Sequence, residues 1–356
     1  MDAEWVQANY KVDLALDFEE SSKVIVNYLL LKLNEPVRSQ SASLIELDKT
    51  QRVVKVAYPS FVFDDNNMTQ WLNLLALPTM LQGIRLDAIR LSQGLCKGLR
   101  GPRFGLSGIK ESLKMEYKSQ PLLCFMPNVK TDSKPDLLRK IAYEAAVGGV
   151  NIFIDDELLN DQDFCRLEAR VSSISEGLDK AQQETGSSYL YAANISSDYP
   201  ELLERAEIAL ENGASCLMVC DVFTAVPEVK SLRNDPTLNA PIYVQSAQHL
   251  AKVVSKGAIS VFLRLAGADM IFTNEESSAD ASFLKGLIEH LDCAPHFLPS
   301  VPIMSLPKEL SALKNVIAEF DGKIAILIKK DVEGSSLGNV TKYIRNYVDV
   351  IKTLYQ

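Results

Sequence analysis

Residues 121–157 read PLLCFMPNVKTDSKPDLLRKIAYEAAVGGVNIFIDDE, and this stretch decides the fold of the chain. A short apolar run, PLLCFM, is followed by a longer run whose apolar residues recur at helical spacing, and then by a second short apolar run, VNIFID. Gly148 and Gly149 stand where the helical run ends, as glycines commonly do after a helix. The pattern predicts a strand, a helix and a second strand that lies parallel to the first.

The same alternation continues to residue 356 and predicts eight strand–helix units. The strands are predicted to begin at Pro121, Val150, Tyr189, Cys216, Pro241, Asp269, Phe297 and Lys323. Helices are predicted over Pro135–Val147, Phe164–Thr185, Tyr199–Asn212, Pro307–Phe320 and Asn339–Thr353. Eight such units are typical of a (β/α)₈ TIM barrel of the α/β class. The alternative is an open doubly wound sheet, but no glycine-rich phosphate fingerprint follows the first strand.

Residues 1–120 are predicted to form a small N-terminal α+β domain, and residues 121–356 the barrel domain. In the N-terminal domain, strands are predicted over Tyr10–Asp17, Ser43–Leu47, Arg52–Phe63 and Ile84–Leu91. One helix is predicted to be capped by Ser21 or Ser22 and to run to Asn34, and a second is predicted over Met68–Ala76. A glycine-rich turn at 101–108 is predicted to close this domain and to lead into a short helix.

The charge balance excludes several classes of function. The chain has 37 Lys and Arg against 46 Asp and Glu, a net charge of −9, which argues against a general nucleic-acid or acidic-membrane binder. Only three histidines are present, His249, His290 and His296, so a His-rich metal centre or a His-based triad is not expected. His249 is interpreted as a cap or surface residue.

The apolar residues and cysteines indicate where the chain is found. No apolar run reaches the ~18–20 residues that span a bilayer, and the first ten residues lack an apolar signal core. The six cysteines are scattered, so we expect them to be reduced. Cys216 and Cys220 are interpreted as residues of a buried strand rather than as a metal pair. We therefore expect a cytoplasmic protein that binds neither membrane nor nucleic acid.

Several landmarks resemble a known family in their order and spacing. They are GPRFG at 101–105, GGVNIFIDDE at 148–157, AQQETG at 181–186 and YAAN at 191–194. Together they resemble the large chain of ribulose-bisphosphate carboxylase (RuBisCO), and more closely its non-carboxylating relatives, the RuBisCO-like proteins. AYP at 57–59, GPRFGLSGIKESL at 101–113 and the run over 213–223 are similar to the 2,3-diketo-5-methylthiopentyl-1-phosphate enolases of methionine salvage. The resemblance implies a small α+β domain, a barrel and a homodimer.

The resemblance also implies a magnesium site at the end of the second barrel strand. In the family, a carbamylated Lys, an Asp and a Glu hold the ion, which stabilises an enediolate. Asp156 and Glu157 match the two carboxylates, whereas Ile154 stands at the position of the Lys and supplies no ligand. Magnesium binding is therefore expected to be weakened, and no organic cofactor is expected. Alternation along the strand predicts that Ile154 and Asp156 point into the barrel.

Other family positions have also changed. Asn128 stands at the lysine of the first strand, Gln245 stands at the histidine after the fifth strand, and no lysine occurs over residues 76–80, where the enolases are thought to have their base. Lys130 matches a second lysine of the carboxylases and is a candidate catalytic residue, or else a solvated loop residue. The candidate phosphate ligands are Gly267, Ala268, Lys329 and Lys330, although a glycine-rich loop is absent at the last two.

Two functions follow from this pattern. One is a pseudoenzyme with a regulatory or interaction role, in which the altered positions reflect a degenerate active site. The alternative is an enolase or isomerase that acts on a phosphorylated, sugar-like compound with magnesium, as in methionine salvage. Carboxylation of ribulose bisphosphate is not expected, because both lysines that it needs are absent.

Overall fold

The computed structural model describes residues 5–30, 43–115, 120–129, 133–221, 225–246, 252–273, 284–289, 291–307, 310–332 and 338–353. Within these ranges, no helix is both long and apolar enough to cross a bilayer.

A four-stranded antiparallel sheet forms the N-terminal part of the molecule. Its strands are β1 (Trp5–Val12), β2 (Ser43–Asp48), β3 (Val53–Pro59) and β4 (Ile84–Arg90), in the order β2-β3-β1-β4. The helices that accompany it are α1 (Phe18–Leu30), α2 (Met68–Ala76), α3 (Gln93–Cys96) and two 3₁₀ turns, Ser60–Val62 and Leu77–Met80. Every second residue of β1 is buried, as expected of a sheet with one face on a core. The free edge of β4 bonds to the barrel through Leu86 and Val253.

The predicted positions of β1 and α1 are wrong, because Asp13 forms a turn that ends the strand before the predicted residue. Asp13 accepts the backbone N–H of Ala15 (2.9 Å), which ends β1 at Val12 instead of continuing it to Asp17. Asp17 then caps α1 by accepting the N–H of Glu20 (2.7 Å). Ser22, predicted as a candidate cap, lies inside this helix.

Eight parallel strands close into a barrel, as the sequence predicts. They are β5 (Leu122–Asn128), β6 (Ile152–Ile154), β7 (Leu190–Asn194), β8 (Cys216–Asp221), β9 (Ile242–Ser246), β10 (Met270–Phe272), β11 (Val301–Ser305) and β12 (Ala325–Asp331). The surrounding helices are α5 (Pro135–Gly148), α6 (Leu167–Thr185), α7 (Glu201–Glu211), α8 (Val226–Asn234), α9 (Lys256–Ala266), α10 (Lys285–Ile288), α11 (Leu310–Glu319) and α12 (Gly338–Lys352). Strand β12 pairs with β5, which completes the barrel and excludes the open doubly wound sheet.

The seventh barrel strand begins later than the sequence predicts. Phe297 is buried in a turn, where its N–H donates to the carbonyl of Ala294 (3.0 Å), so it does not start a strand. The ladder of β11 begins at Val301, whose N–H donates to the carbonyl of Asp269 (2.7 Å). The apolar run was misleading because Phe297 is buried by packing outside the sheet.

One short helix packs against the end of the barrel where the strands begin. This helix is α4 (Gly105–Ser112). Its Ile109 and Leu113, the first residue after the helix, are buried in the same cluster as the interior residues of the strands. Asp269 fixes its start by accepting the N–H groups of Phe104 (2.7 Å) and Gly105 (3.0 Å). Since α4 begins at Gly105, half of the predicted turn is helical. The domain boundary at residue 120 stays a prediction.

Glycine is required at the start of α4. Gly105 has φ +55°, and a Cβ there would lie 2.8 Å from the carbonyl oxygen of Pro299. The close approach lets the backbone N–H of residue 105 reach the buried Asp269 carboxylate.

Candidate functional site

The mouth of the barrel is the end at which the strands end. The alternation of side chains along each strand determines which side chains reach it. In β6, Ile152 and Ile154 are fully buried and belong to the interior cluster. The next three residues, Asp155, Asp156 and Glu157, follow the strand directly. Asp155 and Asp156 continue the alternation of the strand and point to opposite sides, whereas Glu157 lies in a turn, so the three acidic side chains have different surroundings.

Asp155 lies between the barrel wall and α6, where it binds a buried arginine. Its carboxylate accepts hydrogen bonds from Arg170 Nε (3.0 Å), Tyr191 Oη (2.9 Å) and the backbone N–H of Asn194 (2.9 Å). Burial lowers the pKa of Arg170, but the Asp155 carboxylate outweighs this effect and holds that pKa above its usual range. Burial raises the pKa of Asp155 against the opposing effects of Arg170 and the hydrogen-bond donors. A buried guanidinium without a carboxylate partner would be strongly destabilising, so the contact has a structural role. The sequence could have indicated that Arg170 is buried, because this arginine stands three residues after Leu167 on the apolar face of a helix.

Asp156 is almost completely buried at the end of β6. One carboxylate oxygen accepts the N–H of Leu158 (2.8 Å), and the other accepts the N–H of Val129 (3.3 Å). Burial raises the pKa of Asp156, and the neighbouring charge of Glu157 acts in the same direction against the two backbone donors. Asp156 thus links the loop after β5 to the loop after β6.

Glu157 is half-exposed and joins three strands of the barrel. Its Oε2 accepts Gln245 Nε2 (3.0 Å), from β9, and lies 3.3 Å from Lys329 Nζ, from β12. The hydroxyl of Tyr243 bonds to Gln245 Oε1, and the Lys329 ammonium lies 5.5 Å from the centre of the Phe272 ring. The positive charge beside Glu157 is therefore supplied by the protein itself.

A second polar contact lies at the same mouth. Asn128, the last residue of β5, donates from Nδ2 to the carboxylate of Asp331, the last residue of β12. The two residues are paired in the register of these strands, and both are exposed. Asp331 has no obvious sequence signal, because only closure of the barrel brings it beside Asn128.

Some predicted site residues do not join this group. Lys330 points away from the interior, with its ammonium 4.0 Å from the centre of the Tyr343 ring of α12, because it alternates with Lys329. Gly267 and Ala268 precede β10 and lie at the opposite end of the barrel, where Gly267 O accepts two bonds from the Arg233 guanidinium. None of these three residues lies beside Asp156, and their assignment as phosphate ligands stays a prediction.

Three further sequence expectations concern individual residues. Lys130 and His249 lie outside the described residues. Cys216 is fully buried in β8 and Cys220 is half-buried on the same strand, in agreement with a strand rather than a metal pair.

The donor atoms at the mouth do not fit a magnesium ion. In the described part of the chain, no three His, Cys, Asp or Glu residues are grouped so that they would hold a metal. Both Asp156 oxygens accept backbone N–H groups, and Glu157 Oε2 faces an ammonium and an amide. The Ile154 side chain is apolar and buried, so it offers no third oxygen.

Comparison with known proteins identifies the family. The family of the ribulose bisphosphate carboxylase large chain, catalytic domain, matches residues 110–286. This chain belongs to the RuBisCO large-chain family. It is 36% identical over 233 residues to the ribulose bisphosphate carboxylase-like protein of Archaeoglobus fulgidus, which covers 64% of this chain and 53% of that protein. The family resemblance inferred from the sequence is thereby confirmed.

A second relative and a solved structure agree with this assignment. The chain is 31% identical over 233 residues to the 2,3-diketo-5-methylthiopentyl-1-phosphate enolase of Geobacillus thermodenitrificans, covering 62% of this chain and 54% of the enolase. It spans about half the length of both curated relatives. The Rubisco-like protein of Rhodopseudomonas palustris has the same fold, with a TM-score of 0.84, 17% identity, and coverage of 100% of this chain and 99% of that one.

The two neighbouring aspartates are expected to respond differently to the same substitution. Asp155→Asn removes the charge that compensates buried Arg170 and should lower the free energy of unfolding by about 3–5 kcal/mol. Asp156→Asn removes a charge that burial already disfavours but turns an amide NH₂ towards one of the two backbone donors, so the loss should be smaller, about 1–2 kcal/mol. Urea denaturation of both variants at pH 7 measures the difference. Equal losses in the two variants would contradict the assignment of a structural role to Asp155 alone.

Proposed function

We propose that this RuBisCO-like protein does not carry out the magnesium-dependent chemistry of its relatives and that it retains the fold for a regulatory or interaction role. The observation that carries the proposal is the contact between Lys329 and Glu157, because an ammonium 3.3 Å from Glu157 Oε2 competes with a metal ion for that carboxylate. The change at Ile154 supports the same conclusion, since the resemblance places the carbamylated lysine there.

Electrostatics explains why the ammonium and a divalent cation exclude each other. At an effective dielectric constant of about 20, two like unit charges about 5 Å apart repel by roughly 3 kcal/mol, and a divalent ion doubles this. Asp156 contributes little to compensate, because burial raises its pKa and its oxygens face backbone donors. Glu157 is thus paired without an added cation.

Removing the ammonium is expected to create affinity for magnesium. The Lys329→Met variant should bind Mg²⁺ at least roughly tenfold more tightly than the unmodified chain. Lys330→Met is the matched control, since Lys330 is the next residue of β12 and points to Tyr343. Calorimetric titration with MgCl₂ gives the affinities. Submillimolar binding by the unmodified chain would contradict the proposal.

The alternative function is an enolase or isomerase, and the identity to the Geobacillus thermodenitrificans enolase favours it. We expect no turnover of 2,3-diketo-5-methylthiopentyl-1-phosphate by this chain, with or without Mg²⁺, under conditions in which that enolase is active. Loss of the diketone absorbance measures the reaction. Turnover that depends on Glu157, as tested with Glu157→Gln, would replace the proposed role with the alternative.

We also propose that the chain forms a homodimer. The resemblance implies that the N-terminal domain of one chain covers the barrel mouth of its partner. Apolar side chains exposed near the mouth support this arrangement, namely Leu158 (62% exposed), Phe164 (40%) and Tyr199 (70%). Phe61 (58%) is similarly exposed on the N-terminal domain. Exposed large apolar groups of this kind commonly mark contact surfaces.

Light scattering tests the dimer. The unmodified chain should elute with the mass of two chains, and Leu158→Glu should shift it towards one, because a buried carboxylate would oppose the contact. Leu298→Glu serves as the control, since Leu298 is 36% exposed in the segment that leads into β11, at the end of the barrel opposite the mouth. A monomeric unmodified chain, or equal effects of both variants, would refute the arrangement.

A further inference from the structure

A cavity of about 820 Å³ lies at the end of the barrel opposite the mouth. Helix α4 forms one wall together with Lys114 and Met115, and the segments that lead into β11 and β12 form the other. Its position follows from topology, because Ser300 immediately precedes β11 and Lys323 precedes β12 by two residues. Cavities of this volume are large enough for a small organic ligand.

The lining combines apolar side chains with an unusual number of lysines. The apolar part consists of Leu106, Met115, Ile288 and Pro299, all half-buried. Three lysines, Lys110, Lys114 and Lys323, line the same space. The acidic groups nearby are Glu111 in the lining and Asp321, which lies 3.9 Å from Lys323. The cavity therefore carries one more positive than negative charge, although the chain as a whole has a net charge of −9.

Lys110 is the buried cation of this set. It is only 4% exposed, and its ammonium donates to the carbonyl of Gln120 (2.6 Å) and, more distantly, to that of Gly322 (3.4 Å). Burial lowers the pKa of Lys110 to about 8, although the charge of Asp321 opposes the shift. An anion placed beside it would favour the charged form and raise that pKa.

We propose that this cavity is a binding site for an amphipathic organic monoanion, in which lysines contact a carboxylate and the apolar residues contact a hydrocarbon body. The shape and the lining select this class. A purely apolar ligand would make no use of the excess positive charge of the lining, and a small inorganic anion would leave most of the volume and the apolar wall unused. The site is separate from the barrel mouth and does not rest on the function proposed there.

Decanoate is the probe, since it has one carboxylate and an apolar chain. Isothermal titration should show saturable binding of decanoate, and decanol and acetate should bind at least roughly tenfold more weakly. Equal affinity for decanol would show that the lysines do not recognise the ligand. The absence of decanoate binding at millimolar concentration would overturn the proposal.

Three variants locate the site. Lys114→Met should raise the dissociation constant roughly tenfold, because it removes one charge but keeps the apolar stem. Lys314→Met, on the exposed face of α11 and outside the cavity lining, is the matched control and should change nothing. Ile288→Trp should abolish binding by filling the space. Unchanged affinity in Lys114→Met and Ile288→Trp would assign the binding to another surface.

Proton uptake tests the role of Lys110 itself. Because burial lowers the pKa of Lys110 to about 8, an anion that binds beside it near that pH should draw in a fraction of a proton per ligand. Titrations in buffers of different ionisation enthalpy measure this number. Uptake should disappear in Lys110→Met and persist in Lys114→Met. If Lys110→Met does not fold, the absence of proton uptake by the unmodified chain would by itself exclude Lys110 from the site.

Discussion

The constraint on which the site depends is the two-residue period of the strands in a closed barrel. Within β12, Leu327 and Lys329 face the interior, whereas Ile328 and Lys330 face the helices, so two adjacent lysines have unrelated surroundings. The same period separates Asp155 from Asp156 after β6. Every strand of a closed barrel is paired on both sides, and its residues alternate between the interior and the outer layer. Each strand residue therefore belongs to one of these two environments.

Three consecutive acidic residues are stabilised in three different ways. Asp155 is compensated by a buried guanidinium, Asp156 by backbone N–H groups and Glu157 by an ammonium from a distant strand. Each solution suits the exposure of the side chain, because a buried charge needs a close partner while a half-exposed one is also solvated. The outcome is that each acidic side chain after β6 has a partner within the chain, which supports a role that does not require a bound metal.

Local signals predicted most elements well, and the failures have common causes. Helix α2 has the predicted bounds, Met68–Ala76, because an amphipathic run follows a capping asparagine. The predicted start of β11 is wrong because Phe297 is buried by packing outside the sheet, and burial alone does not distinguish such a residue from a strand residue. The start of α1 was misplaced because Asp17 competes with the two serines that follow it, and a sequence does not show which polar group accepts the N–H. Gly267 and Ala268 are candidate phosphate ligands by resemblance alone, and only the topology of the barrel places them before β10, at the end opposite the mouth.

The sequence by itself determined the eight strand–helix units, the family and the position of the acidic run after the second barrel strand. These properties depend on hydrophobic period and on residues close together in the chain. Only the tertiary structure decided that Lys329 meets Glu157, 172 residues away. The physical reason is closure: pairing of β12 with β5 brings the last strand beside the first, and no local pattern specifies which side chains then come within hydrogen-bonding distance.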